Sequence, residues 1–132
     1  MQLTHERAHF PVISPDGKWV ACNYRDEQGG AQWRIAIVPF EGGAPAKIFD
    51  IPSASPSRPI RWSPDGSVIT YISTRDEDSN IWSQPLDGSA PKKLTDFKTD
   101  KIFDFAWSRD GRRLALARGA ISTDVVLIKN LR

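Results

Sequence analysis

Ser63-Pro64-Asp65-Gly66 decides the fold, because the chain carries it three times. It stands also as Ser14-Pro15-Asp16-Gly17 and, with one change, as Ser108-Arg109-Asp110-Gly111. The aspartates Asp16, Asp65 and Asp110 are 49 and 45 residues apart, a period that signals a repeat architecture. The flanks repeat too. A short apolar run precedes each turn, Pro11-Val12-Ile13, Ile60-Arg61-Trp62 and Phe105-Ala106-Trp107. A strand-like run follows each, Trp19-Val20-Ala21-Cys22, Val68-Ile69-Thr70-Tyr71 and Leu114-Ala115-Leu116-Ala117. Proline presets the first central position of a type I turn, aspartate suits the second, and glycine takes the left-handed conformation that closes a hairpin with a bulge. Asp16, Gly17, Asp65, Gly66, Asp110 and Gly111 are therefore read as structural turn residues. A ligand or metal role for the three aspartates is the competing reading.

Around these turns the chain reads as short strands. In the first repeat they are expected at 9–13, 18–25, 33–40 and 46–50. The second repeat runs over 58–97, with the loop Arg75-Asp76-Glu77-Asp78-Ser79 and the turn Asp87-Gly88, which matches Gly42-Gly43. Three prolines within 51–59 exclude a helix there. The third repeat, 102–132, has an inner strand, a second strand to about 118 and a third at 124–129, without a fourth. Several strands are apolar on both faces, as Ile35-Ala36-Ile37-Val38 is, which fits sheets covered on both sides. Four-stranded sheets packed radially meet that condition, and the expected class is all-β, a β-propeller segment of three antiparallel blades. An open sandwich is the alternative, but it leaves the period unexplained.

Composition narrows the function classes. The 132 residues carry a net charge of +2, too small to argue for nucleic acid or an anionic membrane. No apolar run approaches a transmembrane span, and residues 1–7 lack the apolar core of a signal peptide, which leaves the compartment open. Cys22 is the single cysteine and sits in an apolar strand, as a buried thiol would.

Ile13-Ser14-Pro15-Asp16-Gly17-Lys18 and Trp62-Ser63-Pro64-Asp65-Gly66, with Asp87-Gly88 and Leu94-Thr95 downstream, resemble the TolB-type propeller repeat over nearly the whole chain. The stretch from Phe105 to Asn130 resembles the closing blade of bacterial multidomain proteins that carry a eukaryotic-like Ser/Thr kinase or a winged-helix regulator ahead of such a propeller. That resemblance implies the C-terminal half of a propeller serving as a non-enzymatic interaction or sensor module. Prolyl-oligopeptidase-type hydrolases also carry TolB-like propellers as gates, so a gating portion of such a hydrolase is the second expectation and a structural spacer the third.

Leu3-Thr4 matches Leu94-Thr95, so residues 1–7 read as the last strand of a blade, with 8–50, 58–97 and 102–132 as blades one to three. The third blade lacks what the start of the chain offers. The expected partner is a second copy: a homodimer closing as a six-bladed ring, each N-terminal strand completing the other's third blade. A protein or peptide is the other expected partner class.

Chemistry-bearing motifs are few. His5 and His9 flank a strand end, where a four-residue spacing does not converge on a metal. Asp76-x-Asp78-x-Asn80 starts like a calcium loop, but Ile81 and Asp87 stand where glycine and glutamate are required. No Gly-x-Ser-x-Gly elbow or phosphate loop is present, and neither cofactor nor catalysis is expected. Loops between second and third strands, together with the connections into inner strands, should share one face. That face would carry His9, Arg25, Arg58, Arg75, Lys101 and Arg118 as candidate binding residues, with Asp26, Glu27, Asp76, Glu77 and Asp78 among them. Mixed surface charge is the default, so an ordinary solvated rim is the preferred reading of that face and a partner-binding mouth the competing one. Trp62 and Trp107, at equivalent positions before their turns, are expected in the packing between blades.

Overall fold

The computed structural model describes residues 7–25, 34–50, 59–75, 78–119 and 124–129. They form three antiparallel sheets, and the described residues contain no helix. The first sheet is β1 (Arg7–Ile13), β2 (Trp19–Arg25), β3 (Arg34–Pro39) and β4 (Lys47–Phe49), in that order. The second repeats it as β5 (Ile60–Trp62), β6 (Val68–Arg75), β7 (Asp78–Pro85) and β8 (Lys92–Lys93). The third is β9 (Lys101–Trp107), β10 (Arg113–Gly119) and β11 (Asp124–Lys129), three strands among the described residues. Residues 1–6 of the strand expected over 1–7 lie outside the described residues, and Arg7 belongs to β1.

Each sheet is a meander in which neighbours in sequence are neighbours in space, the arrangement of a propeller blade. β1 is longer than the sequence suggested. It starts at Arg7 and absorbs the extra length in a bulge between His9 and Val12.

The turns hold the first two strands of every sheet together in the same way. Gly17, Gly66 and Gly111 donate their amides to the carbonyls of Ser14, Ser63 and Ser108 at 2.9, 2.9 and 3.0 Å, closing type I turns. All three glycines have φ between +72° and +77°, a conformation costly for any other residue. The serine hydroxyls complete the lock. Ser14 Oγ donates to Asp16 at 2.6 Å and accepts the Trp19 amide at 3.0 Å. Ser63 and Ser108 do the same with Asp65 and Val68 and with Asp110 and Arg113.

Two apolar cores fill the seams between sheets. Ala21, Ile35 and Ile37 of the first sheet meet Ile60, Trp62, Ile69 and Tyr71 of the second. Ile72 and Ile81 on the second sheet's other face meet Ile102, Phe105, Leu114 and Leu116 of the third. The alternation of strand side chains produces this: Ile69 and Tyr71 face one way, Thr70 and Ile72 the other. The first sheet also has a second face, where Cys22, Tyr24, Ala36 and Val38 are buried.

The indole of Trp62 donates to the Val12 carbonyl of the first sheet at 2.9 Å. Trp107, its equivalent 45 residues on, donates to the Thr70 hydroxyl of the second sheet at 3.0 Å. Each of these blades is thus pinned to the blade before it.

Candidate functional site

The hairpin geometry divides the molecule into two ends. The Ser-x-Asp-Gly turns join first to second strands at one end. The ends of the second strands and the starts of the first and third strands lie at the other, about 25 Å away for strands of seven or eight residues.

At the turn end, the three aspartates are occupied. Asp16, Asp65 and Asp110 each accept the serine hydroxyl and the amide two residues on, at 2.6–3.0 Å. Serine hydroxyl and backbone amide donation depress all three carboxyls, with the Ser67 amide leading at Asp65. Neighbouring turns also nest. A Cβ on Gly66 would stand 3.8 Å from the Pro15 ring, and one on Gly111 3.7 Å from that of Pro64. A cleft of about 600 Å3 opens between the second and third turns, lined by Pro64, Asp65, Val68, Trp107, Arg109 and Asp110.

The opposite end collects the candidate cations. Arg25 and Arg75 are the last residues of β2 and β6, and Arg118 is the last but one of β10. Lys101 opens β9 and pairs with Gly119, while His9 lies in β1 opposite Asn23. The backbone therefore puts Arg25, Arg75, Lys101 and Arg118 at a common end of their sheets. Arg58 lies outside the described residues, as do Asp26, Glu27, Asp76 and Glu77.

Among the described side chains, Lys101 is exposed. Arg118 is engaged within the chain. Its guanidinium lies 3.8 Å above the Phe97 ring, donates to the Thr99 carbonyl at 2.9 Å and approaches Asp100 at 3.9 Å. It secures the connection into β9, where Asp100 adopts a left-handed φ of 67°. Asn80, the last residue of the calcium-like triplet, is likewise engaged. It accepts from the Thr95 hydroxyl and the Phe97 amide at 2.7 Å each, and Thr95 in turn accepts the Ile81 amide at 3.0 Å. This ties β7 to the segment leaving β8, as the Arg34–Asp50 pair at 2.9 Å ties β3 to the end of its own sheet.

Sequence reasoning did not single out Thr95 and Asn80 as a lock, nor the repeated serines as its counterpart in the turns. The serines carried a signal, since they recur in all three turns. Among the described residues, no cluster of three or more His, Cys, Asp or Glu could hold a metal ion. Nor is any described helix long and apolar enough to cross a membrane.

No family model matches the chain. It is 30% identical over 112 residues, 83% of its length, to Tricorn protease homolog 1 of Streptomyces coelicolor, of which it spans 10%. Among solved structures it resembles TolB from Acinetobacter baumannii with a TM-score of 0.73, at 22% identity, over 92% of this chain and 30% of that one. It also resembles the β-propeller domain of the Trilobed protease from Pyrococcus furiosus, with a TM-score of 0.68 at 22% identity, over 96% of this chain and 40% of that one. The chain spans between 10% and 27% of the curated relatives it matches.

Proposed function

We propose that this TolB-like β-propeller segment is a non-enzymatic interaction module that engages a protein or peptide at the sheet ends opposite its Ser-x-Asp-Gly turns. One observation carries the reading: the second strands of the first two sheets end on Arg25 and Arg75, and Lys101 is exposed at the same end of the third, whose Arg118 is committed to Phe97, Thr99 and Asp100. The same cationic residue type thus closes the second strand at this end in both of those sheets. Guanidinium groups suit carboxylates through paired hydrogen bonds, so the partner chemistry is an acidic peptide segment. The turn end supports this choice by contrast, since its carboxylates are already occupied by their own serines and amides.

The test is a panel of displayed random dodecapeptides panned against the chain. Enrichment of acidic sequences, with binding lost in Arg75→Glu and Lys101→Glu but kept in Arg109→Glu at the turn end, is the expected result. Enrichment that ignores the first two substitutions would refute the assignment.

A second reading has an observation of its own. The chain is similar to parts of proteins described as peptidases, among them Tricorn protease homolog 1, where it would be a gating portion beside a hydrolase. A Gly-x-Ser-x-Gly elbow encoded downstream in a longer protein would favour it.

A further inference from the structure

Two surfaces of the molecule are halves of a seam that the described residues leave unmade. Every seam that is made follows one pattern. The tryptophan before a turn reaches onto the preceding sheet, and the glycine of that turn rests on the preceding turn's proline. On the first sheet the equivalent residues have no such contacts. Ile13, in the place of Trp62 and Trp107, is 57% exposed, and Gly17 has nothing within 4 Å of where a Cβ would stand. Phe40 and Ile48 are exposed on the same face by strand alternation, giving it an apolar rim around the buried Cys22, Ala36 and Val38.

The third sheet presents the complement. Its outward face has a groove of about 190 Å3 lined by Asp104, Phe105, Ala106, Ala115, Leu116 and Ala117. Ala106 and Ala115 stand 45 residues after Arg61 and Thr70, on the second sheet, where Trp107 docks. The groove is therefore the third sheet's copy of the tryptophan slot. Alanine at 115 removes the hydroxyl that accepts from Trp107, so apart from Asp104 the slot is hydrocarbon where its counterpart is polar. Ile13 has no donor to satisfy. Arg109 replaces proline in the third turn, and the repeat would bring it against the turn containing Asp16, an acidic neighbour.

We propose that a second copy of this chain fills the slot: Ile13 of each copy packs on Ala106 and Ala115 of the other, with Arg109 beside the other's Asp16. Propellers close with roughly four to eight blades, and six is the one multiple of three in that range. Two copies related by a two-fold axis then make the same seam twice.

Light scattering during size-exclusion chromatography tests this on the 132-residue chain and on Ile13→Asp and Ala106→Arg. Both substitutions fall at exposed positions. The expected mass for the unmodified chain is twice 14.8 kDa. Each variant should weaken association by at least about tenfold. Mixing the two variants should restore the dimer. One seam is then unaltered, and the other sets the introduced carboxylate of one copy against the introduced guanidinium of its partner. This recovery also shows that both variants are folded. A monomeric unmodified chain, which is the behaviour expected if further blades of a longer chain cover these faces, would overturn the proposal. So would a mass of three copies, or a mixture that stays monomeric.

Discussion

The two seams among the described residues share an anchor and an apolar core and differ in the polar links around them. Between the first and second sheets, Trp62 is buried and bonds a backbone carbonyl, and its neighbours are aliphatic and aromatic. Between the second and third, Trp107 is only half-buried and bonds a side chain, Thr70, whose hydroxyl donates in turn to the Arg61 carbonyl at 2.9 Å. Polar links surround it. Arg61 reaches Asp104 at 3.1 Å and lies over the Phe105 ring, while Ser79 accepts the Ile102 amide at 3.2 Å. The Arg61–Asp104 pair is exposed enough to contribute less than about 1 kcal/mol. The lesson is that one packing geometry tolerates two chemistries, but their vulnerabilities differ: a carbonyl acceptor survives any substitution of its residue, whereas a hydroxyl acceptor does not.

Removing the anchors gives the largest expected effect. Trp62→Ala should cost about 3–5 kcal/mol in urea unfolding, within the range for large core aromatics. Trp107→Ala should cost less because that ring is partly solvated. Equal losses would break the contrast between the two seams. Thr70→Val is sharper and smaller. It keeps the shape but leaves the Trp107 indole without its acceptor, and the fully buried site makes about 1–3 kcal/mol the expected loss. Val12→Ala at the first seam keeps the Trp62 bond, so it should cost only the lost packing; a loss exceeding that of Thr70→Val would reverse the reading. Acid should discriminate least, since both seams are flanked by the same turns. Asp16, Asp65 and Asp110 are all held below the ordinary aspartate value of 3.8 by hydroxyl and amide donors. A depressed carboxyl stabilises the fold above its unfolded pKa, and the benefit is lost as pH falls through the folded value. Thermal midpoints should therefore decline shallowly below about pH 4 and hold between pH 5 and 7. A rise in stability on acidification would contradict the turn geometry.

The all-β propeller class was legible because its signals are local and repeated. Pro-Asp-Gly chemistry, the 45–49 residue period and two-sided apolar strands each point to it independently. Trp62 and Trp107 could be placed between blades from their equivalence alone. What they bond could not, because Val12 and Thr70 lie 50 and 37 residues away and are chosen by the angle between sheets. The Asn80–Thr95 lock was hidden for the same reason: two ordinary polar residues become partners only when β8 folds back on β7. The candidate binding face was legible as an arrangement of strand ends. The sequence could not show that Arg118 stacks on Phe97, since that contact depends on the path of the connection between β8 and β9.

The direction of the tryptophan bonds bears on synthesis. In both seams the acceptor is translated before the donor. A chain emerging at about 5–20 residues per second holds Val12 or Thr70 ready for roughly 2–10 s before its indole arrives. Each new blade can then dock on one already made, so these contacts permit assembly in the order of the message, without waiting for the last codon.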